Sequence, residues 1–213
     1  MACKWIVGAS HFLDVAHEAW QRHYPDLHIE KIVLPRNALD EFDFSPLDQI
    51  NPDTDTAFAA FDDSFANFSR LELMALLMEH RIKLDPFISP LAMIASNVHI
   101  GLNAFIGDGA IVGHDSQIHY NTILLPGTRI GAGVHIRSSC WLESGVVVGD
   151  HVRIGAHSTL RKGTLIVDKV KVGRNCELGW AQLYDKDISD KTVFDPRYDN
   201  PIYTYANQIP ISL

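Results

Sequence analysis

The chain has 213 residues, 18 lysines and arginines against 26 aspartates and glutamates, and a formal net charge of −8. Basic residues are scattered, which argues against a partner recognised through nucleic-acid phosphates or anionic lipid, and no apolar run approaches the roughly 18 residues of a membrane span. Three cysteines with no CxxC spacing exclude a disulfide framework and, with an N-terminus that does not read as a secretory signal, predict a soluble cytoplasmic protein.

In chain order, residues 5–7 read as a short apolar strand, followed by Gly8, Ala9 and Ser10 and a helical pattern over 12–23. Residues 29–34 and 56–61 read as second and third strands, with an acidic loop over 35–52 between them. Asp62, Asp63 or Ser64 is placed to cap a helix whose apolar face is Phe65, Phe68, Leu71, Met74, Ala75 and Met78. Strand, glycine turn, helix, strand is the opening of a small Rossmann-like α/β domain over residues 1–85.

From Ile88 the character of the sequence changes. Every sixth residue from Ile88 to Leu178 is aliphatic, sixteen positions without a slip in register. Four residues after each stands a small or β-branched residue, except at Gln182, and the residue directly after the aliphatic one is glycine in eight cases. A period of six suits neither an amphipathic helix nor an ordinary sheet. It suits a coil of three short strands that turns a corner every six residues, with the aliphatic residue inside. The prediction is a mainly β chain: a left-handed parallel β-helix over 86–190 behind the α/β domain, then an extended tail over 191–213. Cys140 and Cys176 fall on equivalent interior positions two coils apart, roughly 9.6 Å, beyond the reach of a disulfide. The outward residues Phe105, Ile111, Ile123, Trp141 and Val147 read as one apolar rib that contacts a domain or another subunit.

An α/β domain opening in Gly-Ala-Ser, followed by this coil and by Gly113-His114-Asp115-Ser116-Gln117-Ile118 and Leu124-Leu125-Pro126-Gly127, resembles one family. It is the trimeric hexapeptide acyltransferases that include bacterial nucleotide-sugar N-acetyltransferases and sialic-acid O-acetyltransferases. The resemblance implies a transferase that moves an acyl group, acetyl above all, from acyl-coenzyme A to an amino or hydroxyl group of a sugar in surface-polysaccharide or glycan biosynthesis. It implies His114 as general base and Asp115 as the residue that orients it. An imidazole suits that proton transfer at neutral pH. The backbone N–H of Ala132, eighteen residues on, corresponds to the oxyanion donor, and the coenzyme arm would pass Gly131, Gly149 and Gly155. Gly8, Ser10 and His11 would contact the sugar substrate. A homotrimer with active sites between subunits is implied, with acetyl-coenzyme A as co-substrate and no metal.

The chain departs from the family at three places. His11-Phe12-Leu13 follows Ser10 where the family has Gly-His-Gly, Pro35-Arg36-Asn37 follows Leu34 in place of an acidic pair, and Asp195-Pro196-Arg197 stands near the family's Gly-x-Pro-Ala-Lys segment. Two other readings stay open. His114 and His119 have the spacing of two zinc ligands in γ-type carbonic anhydrases, although the third position falls on Met78. A catalytically silent coil that binds a sugar or a partner protein is the other.

Overall fold

The computed structural model describes residues 2–35 and 42–204; Arg36, Asn37, the last nine residues of the expected tail and the side chain of Phe65 lie outside them. Strand β1 (Cys3–Gly8), helix α1 (His11–His23), β2 (His28–Val33), β3 (Thr56–Ala60), α2 (Phe68–Glu79) and β4 (Lys83–Leu84) form the N-terminal unit. Its sheet runs β2-β1-β3-β4, and every pairing is parallel. The small residues Ala57, Ala59 and Ala60 of β3 are fully buried, so helices close over both sides of that strand. The loop between β2 and β3 contains a 3-10 turn, Ser45–Gln49, that buries Leu47.

Helix α2 does not begin on Asp62, Asp63 or Ser64. A 3-10 turn occupies Ser64–Asn67, and Asn67 precedes the helix in the left-handed region (φ 65°) without a side-chain cap. The Asn67 side chain is committed elsewhere, to Arg70 and to Thr159 of the coil.

The coil has the expected three-sided form. Two-residue strands recur every six residues, and residues eighteen apart pair in parallel, as Ile106 does with Leu124 and Leu124 with Leu142. The aliphatic positions and the small residues beside them make one continuous core. Tyr184 fills the next interior position after Leu178, so the repeat runs one step beyond its last aliphatic residue. The tail is only partly extended: Thr192–Phe194 adds a parallel strand above Leu178 and Ile202–Tyr203 pairs antiparallel to it. At Gly113 an added Cβ would lie 2.7 Å from the backbone of the coil above, so close approach selects glycine after the aliphatic residue. Left-handed backbone falls two residues later, at Gly133 among others.

The three faces differ in what they show. On the docked face Phe105, Ile123 and Trp141 stack in register and are buried with Phe12 and Trp20 of α1 and Phe58 of β3. Phe12 meets Phe105 and Trp141 edge-on, with centroids 5.3 and 4.9 Å apart. The expected single rib is therefore two. Ile111 and Val147 belong to a second, apolar face with Met93, Leu165 and Leu183. The third face, with His99, Gln117, His135, Arg153 and Lys171, is basic.

Polar contacts lock the N-terminal unit to the coil. Strand β4 ends at Leu84, and beyond it Asn103 of the coil completes the pairing, accepting from the Ala59 N–H at 2.7 Å and donating to the Ala59 carbonyl at 3.1 Å. Asn103 then donates to Asn121, and Asn121 to Ser139, a ladder of buried side chains up one corner. Lys4 is buried, with its Nζ on Ala57 O at 3.1 Å and Asp85 at 3.0 Å, and lies 4.5 Å from the Trp20 ring. Burial depresses its pKa to about 8 against the partial restoring effect of Asp85. The unfolded chain therefore holds this proton to higher pH, and the Lys4 contribution to stability rises between about pH 8 and 10.5. Lys4→Met is expected to remove that rise, read from urea midpoints across the interval.

All three cysteines are free and buried. Burial pushes the Cys140 thiol up to about 12 and raises Cys3 and Cys176 as well. A disulfide reagent at pH 8 is expected to leave all three thiols of the folded protein unmodified over minutes and to titrate all three after denaturation.

Candidate functional site

His114 stands at the corner between the apolar and basic faces, after the strand Ile111–Val112 and before Gln117–Ile118. It is exposed, and its imidazole has no hydrogen-bond partner among the described residues. Asp115 follows in the left-handed region (φ 58°). Its carboxylate does not turn to His114. Asn97, one coil below, donates to it and accepts the Asp115 N–H at 3.2 Å. The pair is adjacent in space, but no hydrogen bond joins them.

Above His114 at the same corner lie Ala132, Asp150 and Asp168. The Asp168 carboxylate accepts the N–H of Asp150, and that of Asp150 accepts the N–H of Ala132, each at 2.8 Å. The N–H expected to meet an oxyanion thus already has a partner. Gly131 and Gly149 stack at this corner, where an added Cβ would reach Asp150 Oδ1 at 2.4 Å and Asp168 Oδ1 at 2.3 Å respectively. Gly155 does not join them. It lies at the next corner, beyond the basic face, against the backbone of Gly173.

Gly8, Ser10 and His11 occupy another place. The chain leaves β1 towards β2 on one side and β3 towards β4 on the other, so the crevice beyond the carboxyl ends of β1 and β3 is the switch point of the sheet, where α/β domains bind ligands. A Cβ on Gly8 would lie 2.0 Å from the Ala60 carbonyl oxygen, so glycine is required by the close approach of β1 and β3. Ser10 has φ 75° and ψ 175°, backbone that costs about 1–3 kcal/mol outside glycine. Its hydroxyl accepts the Asp62 N–H at 3.3 Å across the crevice. His11 is exposed at the start of α1. Beside this crevice Asp63 pairs with Arg161 at 2.6 Å, and Arg161 also meets Glu143 and Glu177 at 3.0 and 2.8 Å.

The two parts lie on opposite sides of one column. The crevice sits over the docked face at the level of Thr159 and Arg161, whereas His114 is at the corner opposite that face, between two and three coils lower. Among the described residues of one chain nothing brings them together.

Residues 145–179 match a family model described as the hexapeptide repeat of succinyl-transferase. No curated protein matches the sequence. Among solved structures, PerB from Caulobacter crescentus, crystallised with CoA and GDP-perosamine, aligns with a TM-score of 0.79 at 19% identity, over 89% of this chain and 92% of that one. The acetyltransferase domain of PglB from Neisseria gonorrhoeae aligns with a TM-score of 0.53 at 19% identity, over 94% and 99% of the two chains. WeeI from Acinetobacter baumannii gives 0.50 at 16% identity, over 95% and 100%.

The chain has their fold.

Both units take part in the likeness, since the alignments with PerB, PglB and WeeI extend over nine-tenths of the chain. The zinc reading gains nothing from the geometry. His119 lies at the far end of the strand Gln117–Ile118, at a different corner from His114, and Met78 is half-exposed in α2. No cluster of three or more metal-ligating side chains occurs among the described residues. No helix among them is long and apolar enough to cross a membrane. Asn97 and Asp150 belong to no motif that the sequence marks. Each lies eighteen residues from a named site residue, Asn97 from Asp115 and Asp150 from Ala132, and reading the repeat at that longer step exposes them.

Proposed function

We propose that this protein is an acyl-coenzyme A-dependent transferase, acetyl-coenzyme A its co-substrate, that acylates an amino or hydroxyl group of a nucleotide-linked or free sugar for surface-polysaccharide or glycan biosynthesis. The observation that carries the reading is an exposed, unpartnered His114 at a coil corner, in a chain that shares both its units with PerB over most of its length. In this reading His114 Nε2 or Nδ1 removes the proton from the attacking nitrogen or oxygen as the thioester carbonyl is attacked. Asp115, held by Asn97, supplies a fixed negative charge beside it. The Ala132 N–H receives the oxyanion once Asp150 turns away, and the pantetheine arm passes Gly131 and Gly149. Gly155, at another corner, fits a more distant part of the coenzyme. The switch-point crevice of Gly8, Ser10 and His11 takes the sugar and its nucleotide, and residues 1–85, 86–190 and 191–213 serve as substrate domain, transferase domain and tail.

Because crevice and histidine face away from each other in one chain, one site that uses both needs two chains. The apolar face next to the His114 corner supports this: Met93, Leu165 and Leu183 are 61%, 43% and 59% exposed, a stripe that water does not favour. A homotrimer that buries it would bring the crevice of one copy over His114 of the next. A cytoplasmic location agrees with three free, buried cysteines and with dependence on acyl-coenzyme A.

The test is thiol release from acetyl-coenzyme A in the presence of amino-sugar nucleotides, GDP-perosamine first, with light scattering for the assembled mass. Transfer by a trimer is expected. A chain that neither binds the coenzyme in calorimetry nor transfers its acyl group would overturn the reading. Asp150→Ala frees the Ala132 N–H and is expected to leave kcat undiminished; a loss of tenfold or more would remove Ala132 from the oxyanion role.

A further inference from the structure

The basic face carries charges that this mechanism does not use. His135, Arg153 and Lys171 stand directly opposite one another on successive strands, about 4.8 Å apart, and like charges placed as Arg153 and Lys171 are destabilise a sheet. Carboxylates are plentiful in a chain of net charge −8, and at three arginines elsewhere they find the cation. Arg161 meets Asp63, Glu143 and Glu177, Arg174 meets Asp190, and Arg197 meets Asp195. On this face they do not. The side chains of Arg137, Arg153 and Lys171 have no ion pair or hydrogen bond among the described residues, and all three are exposed. Asp187 bounds the row above and accepts the backbone N–H of Lys171 at 2.8 Å through Oδ1, so one carboxylate stands at the upper rim.

These side chains rim a cleft of about 180 Å³ floored by Ile154, Gly155 and Val172. Gly155 lies one coil above Arg137, and a Cβ there would come within 2.5 Å of the Gly173 backbone. The floor therefore stays bare, and the Arg137 guanidinium has open space above it. Burial first, then the nearby Arg137, holds the neighbouring His119 imidazole below its usual pKa.

We propose that this cleft binds a phosphate-bearing anion, with Arg137, Arg153 and Lys171 as its charge partners. Two arginine forks and an ammonium around a bare backbone floor suit a diphosphate or a phosphomonoester. The face begins at the His114 corner, so the bound group would belong to a substrate of that site. For the identity of that substrate the inference rests on the acyltransferase reading, because coenzyme A and nucleotide sugars both carry a diphosphate. Binding of the anion itself does not rest on it.

The test uses the full chain with inorganic pyrophosphate in low-salt titration calorimetry. The wild type is expected to bind saturably, and the triple variant Arg137→Ala, Arg153→Ala, Lys171→Ala at least tenfold more weakly. Arg129→Ala, which removes an exposed arginine from the apolar face, is expected to stay within twofold. Displacement of pyrophosphate by coenzyme A assigns the cleft to the coenzyme, and displacement by GDP or UDP assigns it to the nucleotide sugar. Displacement by neither overturns the proposal and leaves an adventitious ion only. Equal binding by the triple variant overturns it, as does an absence of saturable binding. A changed assembled mass in that variant also overturns it, because the face would then be a contact between copies. Pyrophosphate binding lost in the variant, with no acyl transfer by the wild type, would uphold the cleft and reject the transferase.

Discussion

Replacement of His114 by alanine is expected to lower kcat for acyl transfer by about 10²–10⁴-fold, the usual contribution of a positioned general base. The effect should fall on kcat and kcat/KM together, because proton removal belongs to the transition state and not to substrate binding. Folding should be untouched. His114 is exposed and its imidazole holds no partner among the described residues, so circular dichroism, thermal midpoint and assembled mass should match the wild type. Asp115→Asn is expected to cost less, below about tenfold, because the Asp115 side chain faces Asn97 and an amide can keep that contact. If His114→Ala retains full turnover, the base lies elsewhere. If Asp115→Asn matches the alanine variant, the carboxylate must turn to the imidazole when substrate binds.

The column was legible in the sequence because its rule is local: an aliphatic residue every six positions fills the interior whatever surrounds it. The same stride hid what lies outside. Residues six apart stand on successive faces and only residues eighteen apart share one, so Phe105, Ile123 and Trp141 were merged with Ile111 and Val147 although the first three pack on α1 and the others do not. The corner contacts need the longer step too, as the Asp150 carboxylate on Ala132 and Asn97 on Asp115 show. The start of α2 departs from the sequence expectation for another reason. Asp62 and Ser64 have good cap chemistry, yet Asn67 is drawn to the coil by Thr159 and to Arg70, and tertiary contacts override local preference. His114 was found through resemblance alone. An exposed histidine at a corner has no period to mark it, and His151 and His157 also stand at corners, one position further along, where Asp115 stands and the backbone is left-handed.

Arg70→Ala is expected to destabilise the protein by about 3–5 kcal/mol, the range for losing a fully satisfied buried group together with its volume. In helical sequence Arg70 looks like a solvated residue beside Phe68 and Leu71, but it is completely buried. Its guanidinium donates to the carbonyls of Phe61 and Asp62, both at 3.1 Å, to Asn67 Oδ1 at 3.0 Å and to the Asn121 carbonyl at 3.2 Å. It also lies 5.4 Å from the Trp141 ring. Burial lowers its pKa to about 10, so it stays charged at neutral pH, and truncation strands the oxygens it serves. Arg70→Lys is expected to recover less than half of the loss, since one ammonium cannot span acceptors that a planar fork reaches. At roughly 2–4 °C per kcal/mol for a chain of this size, the alanine variant should melt about 6–20 °C lower. Phe61, Asp62 and Asn67 belong to the N-terminal unit and Asn121 and Trp141 to the coil, so the loss falls on the joint between them. A calorimetric transition that stays single would mean that the aromatic cluster of Phe12, Phe105 and Trp141 couples the units without Arg70. A split into two transitions would show that the arginine is what makes them melt as one.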